Sequence, residues 1–267
     1  MFISFGGNSQ TIITSTLIDS LGNKPIMFAN IGIPNRGLGT VSDENGNFQL
    51  NIPDSLLKFP IKISCIGYNT KLLYANNFTS ERIYLSPSTF SLNEIIVSEK
   101  QQPKRKTLGN TRGKSSIILA FNTKGLGSEM AIKIDIKHPS TKLKKLKFDI
   151  SSGSFDSLLF RFNVYKVDSL GKPGENILKQ IILVNAQSLG GKIEFDLNEY
   201  NIVVNEDIFI ALEWIRKAGE MKNKTDYLSF NSQIYSGGTY LRKTSQDSWY
   251  KMDEMGIGAG LSIEVEY

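Results

Sequence analysis

Between Ala29 and Tyr68 apolar and polar residues alternate with a period of two, and the alternation is interrupted by residues suited to tight turns. Thr40 and Val41 favour extended backbone. Asp43-Glu44-Asn45-Gly46 follows at once, and Asn and Gly tolerate the positive φ that hairpin turns require. Phe48, Leu50 and Ile52 then alternate with Asn47, Gln49 and Asn51, the pattern of a strand with one buried face. Ala29-Asn30-Ile31-Gly32-Ile33 before the hairpin and Ile61-Lys62-Ile63-Ser64-Cys65-Ile66-Gly67-Tyr68 after it complete a series of short strands. No helical period fits this stretch.

The segment resembles the carboxypeptidase regulatory-like domain, a small β-sandwich of transthyretin type. Asp19 with Gly22, Lys24 and Pro25 is similar to the opening stretch of that family. Gly39 to Leu50 is similar to its "G-T-x-T-D-x-x-G-x-F-x-L" core, and Cys65 to Tyr68 to its "Y-x-G-Y" strand, with Cys65 in the aromatic position. The resemblance runs from Thr11 to Val97 and implies a fold rather than an activity. Similar sandwiches precede the plugs of TonB-dependent receptors, and Ser91 to Val97 resembles the usual exit from such a domain. That implies a place at the outer membrane. A transporter is not expected, because these 267 residues contain no plug followed by a large barrel.

Four segments are expected. Residues 1–10 read as the tail of a secretory signal, processed near Ser9 or Gln10, with no Cys nearby to carry a lipid anchor. Residues 11–97 form the transthyretin-like sandwich. Residues 98–114, with six basic residues, one Pro, two Gly and no aromatic, read as a linker. Residues 115–267 read as strand after strand, among them Lys192 to Leu197 and Leu261 to Tyr267, and suit a jelly-roll-like antiparallel sandwich. This part also resembles a domain that follows regulatory-like modules in secreted envelope proteins. The resemblance rests on Phe160 to Tyr165, Gly171 to Glu175, Asp196-Leu197 with Tyr200-Asn201-Ile202, and Ala211 to Trp214, and implies no settled activity. The fold class expected is therefore all-β, two sandwiches in tandem. A closed outer-membrane barrel fits poorly, because several strands are too short or too Lys-rich for a lipid-facing band.

Composition narrows the function. No apolar run approaches the roughly 20 residues of a membrane-spanning helix. The net charge of +5 is mild, and the basic residues gather at Lys100–Lys114 and Lys133–Lys147 without a nucleic-acid module. No nucleic-acid partner is expected. The one cysteine, Cys65, lies in an apolar strand and reads as a buried thiol. So low a cysteine content fits a reducing compartment or a bacterial envelope.

With His138 the only histidine, set before Pro139 in a turn, a Ser-His-Asp or Cys-His device is possible in number only and its parts are badly placed. The two His and one Glu of a zinc carboxypeptidase are also missing, so the resemblance is to the accessory domain. Asp43, Asn45 and Asn47 have the spacing of calcium ligands, but Phe48 stands where that loop needs Gly. Glu194 and Asp196 share the outer face of one strand and read as solubilising charges. Gly125-Leu126-Gly127 and Gly256-Ile257-Gly258 precede strands, with no helix to hold a phosphate. Glu213 differs: it shares a strand face with Phe209, Ala211 and Ile215, so it is expected to be buried and paired with Arg161 or Arg242. No catalytic residue, metal or cofactor is assigned.

What is left is a binding face. Tyr235, Tyr240, Trp249 and Tyr250 cluster with Arg242 and Lys243 late in the chain; such rings can stack on sugars, anchor protein interfaces or fill the core. The sequence thus reads as an exported, non-enzymatic envelope protein, periplasmic or at the cell surface. It would work by protein–protein interaction or scaffolding at the outer membrane, or alternatively as a carbohydrate-binding module.

Overall fold

The computed structural model describes residues 10–78, 81–88, 103–111, 118–122, 126–153, 157–187, 191–218, 227–234, 236–252 and 256–267. They are almost entirely strand and fall into two compact units, Met1–Phe90 with Lys243–Ser248, and Ser91–Arg242 with Trp249–Tyr267.

The first unit contains β1 (Gln10–Asp19), β2 (Asn30–Ile33), β3 (Leu38–Val41), β4 (Asn47–Pro53), β5 (Ile61–Ser64), β6 (Lys71–Leu73) and β7 (Arg82–Leu85). Two sheets, ordered β4-β1-β7 and β3-β2-β5-β6, enclose Leu17, Ile31, Ile52, Ile61 and Ile63, all fully buried. The β3–β4 turn closes as its residues suggest. The Asp43 carboxylate accepts the Asn45 and Asn47 N–H groups at 2.9 and 2.8 Å, and Gly46 takes φ +76°. That carboxylate serves the turn, and no group of candidate metal ligands occurs among the described residues. Asp19 organises a second turn, accepting the Leu21 and Gly22 N–H groups at 2.8 and 3.1 Å and the Tyr68 hydroxyl at 3.2 Å. These backbone donors hold its carboxyl below the usual range. Gly32 and Gly39 face each other across β2 and β3. A Cβ on Gly39 would lie 3.0 Å from the Thr244 side chain, and Gln246 bonds Ser64 at 2.8 Å, so Lys243–Ser248 completes this unit rather than the second. Cys65 is 9% exposed.

The second unit contains β8 (Arg105–Gly109), β9 (Ile118–Asn122), β10 (Glu129–Ile134), β11 (Thr141–Gly153), β12 (Ser157–Val167), β13 (Pro173–Asn176), β14 (Ile182–Gln187), β15 (Gly191–Asp196), β16 (Val203–Val204), β17 (Ile208–Ala218), β18 (Tyr227–Gln233), β19 (Thr239–Arg242), β20 (Tyr250–Met252), β21 (Gly258–Ala259) and β22 (Leu261–Glu266). One sheet runs β13-β12-β17-β10-β19-β20, with β14 also on β12. The other runs β21-β18-β11-β22-β8, with β15 and β16 on β11 and β9 on β18. Phe148 and Phe230 from the second sheet meet Phe160 from the first, with ring centroids 5.7–6.5 Å apart, so the core lies between the sheets.

Two expectations are corrected. The 98–114 segment is not a plain linker: Arg105–Gly109 is a strand, paired antiparallel with β22 from Arg105↔Glu266 to Gly109↔Ser262. Arg105, Thr107 and Gly109 lie in register with residues of an edge that needed a partner, which composition alone does not reveal. Pro173–Asn176, absent from the strands expected in sequence, is a further short strand on β12. The Met1–Gln10 and Ser91–Val97 readings lie outside the described residues, apart from Gln10.

The Lys133–Lys147 concentration is not a free basic patch. Lys133 binds Asp207 at 2.7 Å, Lys145 binds Glu194 at 3.0 Å, and Lys147 lies between Glu194 and Glu264. A register shift between Leu143 and Lys145 accommodates the adjacent lysines 144 and 145. His138 stacks on the Tyr267 ring at 4.1 Å.

Candidate functional site

Arg161, Glu213 and Arg242, singled out in sequence, meet in the second unit with Glu129 as one transverse row. Arg161 on β12 stands opposite Glu213 on β17, Glu213 opposite Glu129 on β10, and Glu129 opposite Arg242 on β19. Two like charges directly opposed in a sheet destabilise it unless each has its own counter-ion, and here each has. Arg161 donates from Nε and Nη2 to Glu213 Oε2 at 2.9 and 2.7 Å. Arg242 donates from Nε to Glu129 Oε2 at 2.7 Å, and its Nη2 reaches the same oxygen. Asn163 bridges the two acids, donating to Glu129 at 2.8 Å and Glu213 at 3.2 Å, and is itself held by Asn176. The Tyr165 hydroxyl donates to Glu129 at 2.8 Å and accepts from Arg242 at 2.8 Å.

Burial sets the electrostatics. Glu129 and Glu213 are 0% exposed and Arg161 2%. Burial raises Glu213 above the usual carboxyl range against the pull of Arg161, with Glu129 adding to the rise. Its Oε1 accepts no hydrogen bond among the described residues. Burial also lifts the Tyr165 hydroxyl well above its ordinary value, although Arg242 opposes this. For Arg242, burial works against the cation, but Glu129 outweighs it and the group rises above the ordinary arginine value. A buried, charge-balanced row of this kind fixes strand register, since a slip of one residue would send all four charges to the opposite face.

Two of the rings expected to form a face beside Arg242, Trp249 and Tyr240, pack inward instead, and that part of the assignment is corrected. Trp249 is 9% exposed and packs on Tyr165, centroids 5.7 Å apart, with the Arg242 guanidinium 4.4 Å from its ring. Tyr240 is half-buried, edge-on to Phe209 at 4.9 Å, its hydroxyl donating to Gly171 O at 3.2 Å. The reason is the row next to the charged one: Tyr240 stands opposite Ala131, and Ala131 opposite Ala211. Two alanines at strand centres leave room that the rings fill. Tyr250 is exposed, and Tyr235 lies outside the described residues. Sequence reasoning missed Glu129. The signal was the mirror image Glu129-x-Ala131 against Ala211-x-Glu213, which an antiparallel pairing superimposes.

A second polar feature lies across the outer edge of the other sheet, where β8, β22, β11 and β15 run side by side. A cleft of about 250 Å³ is lined there by Asn110, Lys147, Asp149, Lys192, Glu194 and Ser262, with Thr107 and Thr111. Glu194 and Asp196 face outward at this edge as their alternation suggests, Asp196 accepting the Asn198 N–H at 2.7 Å.

Residues 13–97, the N-terminal part of the chain, match the model of the CarboxypepD_reg-like domain. No curated protein matches the chain. Among solved structures, the cysteine protease and lectin-like domains of a surface layer associated protein of Clostridium difficile align with 12% identity and a TM-score of 0.39, over 57% of this chain and 36% of that one. The infectious bursal disease virus VP2 subviral particle aligns with 10% identity and a TM-score of 0.31, over 96% of this chain and 55% of that one. This chain therefore spans less than two thirds of the length of either.

Proposed function

We propose that this is an exported, non-enzymatic binding protein of the cell envelope that docks a protein partner through its CarboxypepD_reg-like unit. One observation carries the docking reading. β6 and β7 end their respective sheets, and they expose Leu72 at 59%, Tyr74 at 52% (just past β6) and Tyr84 at 45%. Lys71 joins the two strands, donating to Tyr84 O at 3.0 Å. Tyrosine and leucine exposed on two sheet-ending strands form an anchor of the kind protein interfaces use. The resemblance to an accessory domain and the burial of Glu129 and Glu213 support the non-enzymatic part. Resemblance to modules of secreted envelope proteins supports the location.

The test places a photo-crosslinking amino acid at Tyr84 in the full chain, expressed in its own host, with fractionation of the cells. The expected result is a discrete adduct in the envelope fraction that is lost when Leu72 and Tyr74 are changed to Ser without a change in thermal midpoint. Full-length protein confined to the cytoplasm, or no adduct from folded protein, overturns the reading.

A further inference from the structure

The cleft on the outer sheet edge holds hydrogen-bonding capacity that the chain itself does not use. Asp149 is only 7% exposed, yet its carboxylate has no hydrogen bond or ion pair among the described residues; its own N–H is spent on Gly260 O at 3.0 Å. Ser262, 4% exposed, lines the same cleft, and its hydroxyl has no partner there either. Lys192 stands directly opposite Asp149 across β11 and β15 and makes no ion pair among the described residues. This contrasts with the neighbouring Lys147, Glu194 and Glu264, which are tied to one another. The Asp149 carboxylate and the Ser262 hydroxyl open onto the cleft rather than into the core, so a ligand seated there meets acceptors that no donor of the described residues occupies.

The surroundings choose among ligands. The four ionisable side chains lining the cleft, Lys147, Lys192, Asp149 and Glu194, sum to zero charge. An inorganic anion would meet Asp149 and Glu194, and a metal ion would meet two ammonium groups with one free carboxylate to hold it. A neutral polyol meets no such opposition. Adjacent hydroxyls can both donate to one carboxylate, while Lys192 donates to a ring or hydroxyl oxygen and Ser262 and Thr107 donate or accept. Gly260 also lines the cleft, and a Cβ there would lie 2.6 Å from Asn231 O, so the backbone can pass only as glycine. Asn110 is fixed beside it, its N–H donating to Leu261 O and its Nδ2 to Ala259 O, both at 2.8 Å. The volume falls just below the usual range of drug-sized pockets, the scale of one sugar ring.

We infer that this cleft is a saccharide-binding site in which Asp149 receives paired hydroxyls of a neutral sugar residue, with Lys192 and Ser262 completing its contacts. The inference stands apart from the docking surface on the first unit, and either can fail alone.

The experiment titrates the full chain, isotopically labelled, with neutral hexoses and N-acetylhexosamines at up to tens of millimolar and follows amide shifts. The expected result is saturable shifts at Asn110, Asp149, Lys192 and Ser262 with at least one sugar. Asp149→Asn should weaken that binding at least tenfold while the protein keeps its thermal midpoint, because the carboxylate bonds nothing else among the described residues. Lys192→Ala, an exposed change, should weaken binding without affecting the fold. Absence of saturable shifts with every sugar, shifts mapping elsewhere, or full affinity in both folded variants would overturn the assignment. So would tighter saturation of the cleft by inorganic phosphate or calcium than by any sugar.

Discussion

Changing Arg161 to Met tests whether the buried row is held by its counter-ions. The substitution removes both guanidinium hydrogen bonds to Glu213, at 2.9 and 2.7 Å, and leaves a carboxylate that is 0% exposed with only Asn163 at 3.2 Å. Breaking a buried pair from one side costs about 3–5 kcal/mol. The cost should depend on pH. Glu213 already binds its proton more tightly than an ordinary carboxyl, and the loss of Arg161 tightens it further. Where the folded state holds a proton that the unfolded state has released, stability falls as pH rises. R161M should therefore be most destabilised near pH 7.5 and recover as pH falls toward the ordinary glutamate value of about 4.3. The double variant R161M/E213M, with no charge left on that side of the row, should regain most of the loss. Both tryptophans of the chain, Trp214 and Trp249, lie in the second unit. Their fluorescence in urea therefore reports this unit's transition, and linear extrapolation gives the free energy. A loss below about 1 kcal/mol, the range of an exposed pair, would refute the reasoning, as would a loss that does not change with pH.

Three further outcomes follow from the same structure. Trp249→Ala should destabilise the second unit by about 3–5 kcal/mol, as large-to-small core changes do, measured by urea unfolding followed by circular dichroism. Gly46→Ala should cost more than about 1 kcal/mol, because φ is +76° and the new Cβ would lie 2.6 Å from Leu17 O; calorimetry of the first unit's transition checks it. The Lys133 ammonium holds the Asp207 carboxyl below its ordinary value. That contribution is complete above the unfolded value of about 3.9 and is lost as pH falls through the depressed folded one. Asp207→Asn should thus lower the thermal midpoint at neutral pH, and the gap to the parent should close in that acid window.

What could be read in the sequence was whatever is local. The Asp43–Gly46 turn is set by residues within five positions of each other, and the strands from Gln10 to Leu85 follow from period-two alternation and turn residues. The same alternation placed Glu194 and Asp196 outward and Glu213 inward. What could not be read depends on pairing between distant strands. Arg105–Gly109 looked like a linker because its partner β22 lies some 150 residues later. Trp249 and Tyr240 looked like a binding face because the alanines beneath them, 131 and 211, become neighbours only in the folded sheet. Asp149 gave no signal at all: its lack of a partner is a property of the cleft, not of the strand that carries it.

The row Arg161–Glu213–Glu129–Arg242 also sets how this sheet can come apart. Peeling β12 from β17 would bare Glu213, and peeling β19 from β10 would bare Glu129, before any compensating freedom is gained. Fraying from one side is therefore disfavoured, and the four strands should behave as a single opening unit. In hydrogen exchange, the amides flanking these four residues should share one protection free energy, equal to that of unfolding the whole unit, while β13 and β20 at the ends of the sheet exchange through smaller, local openings.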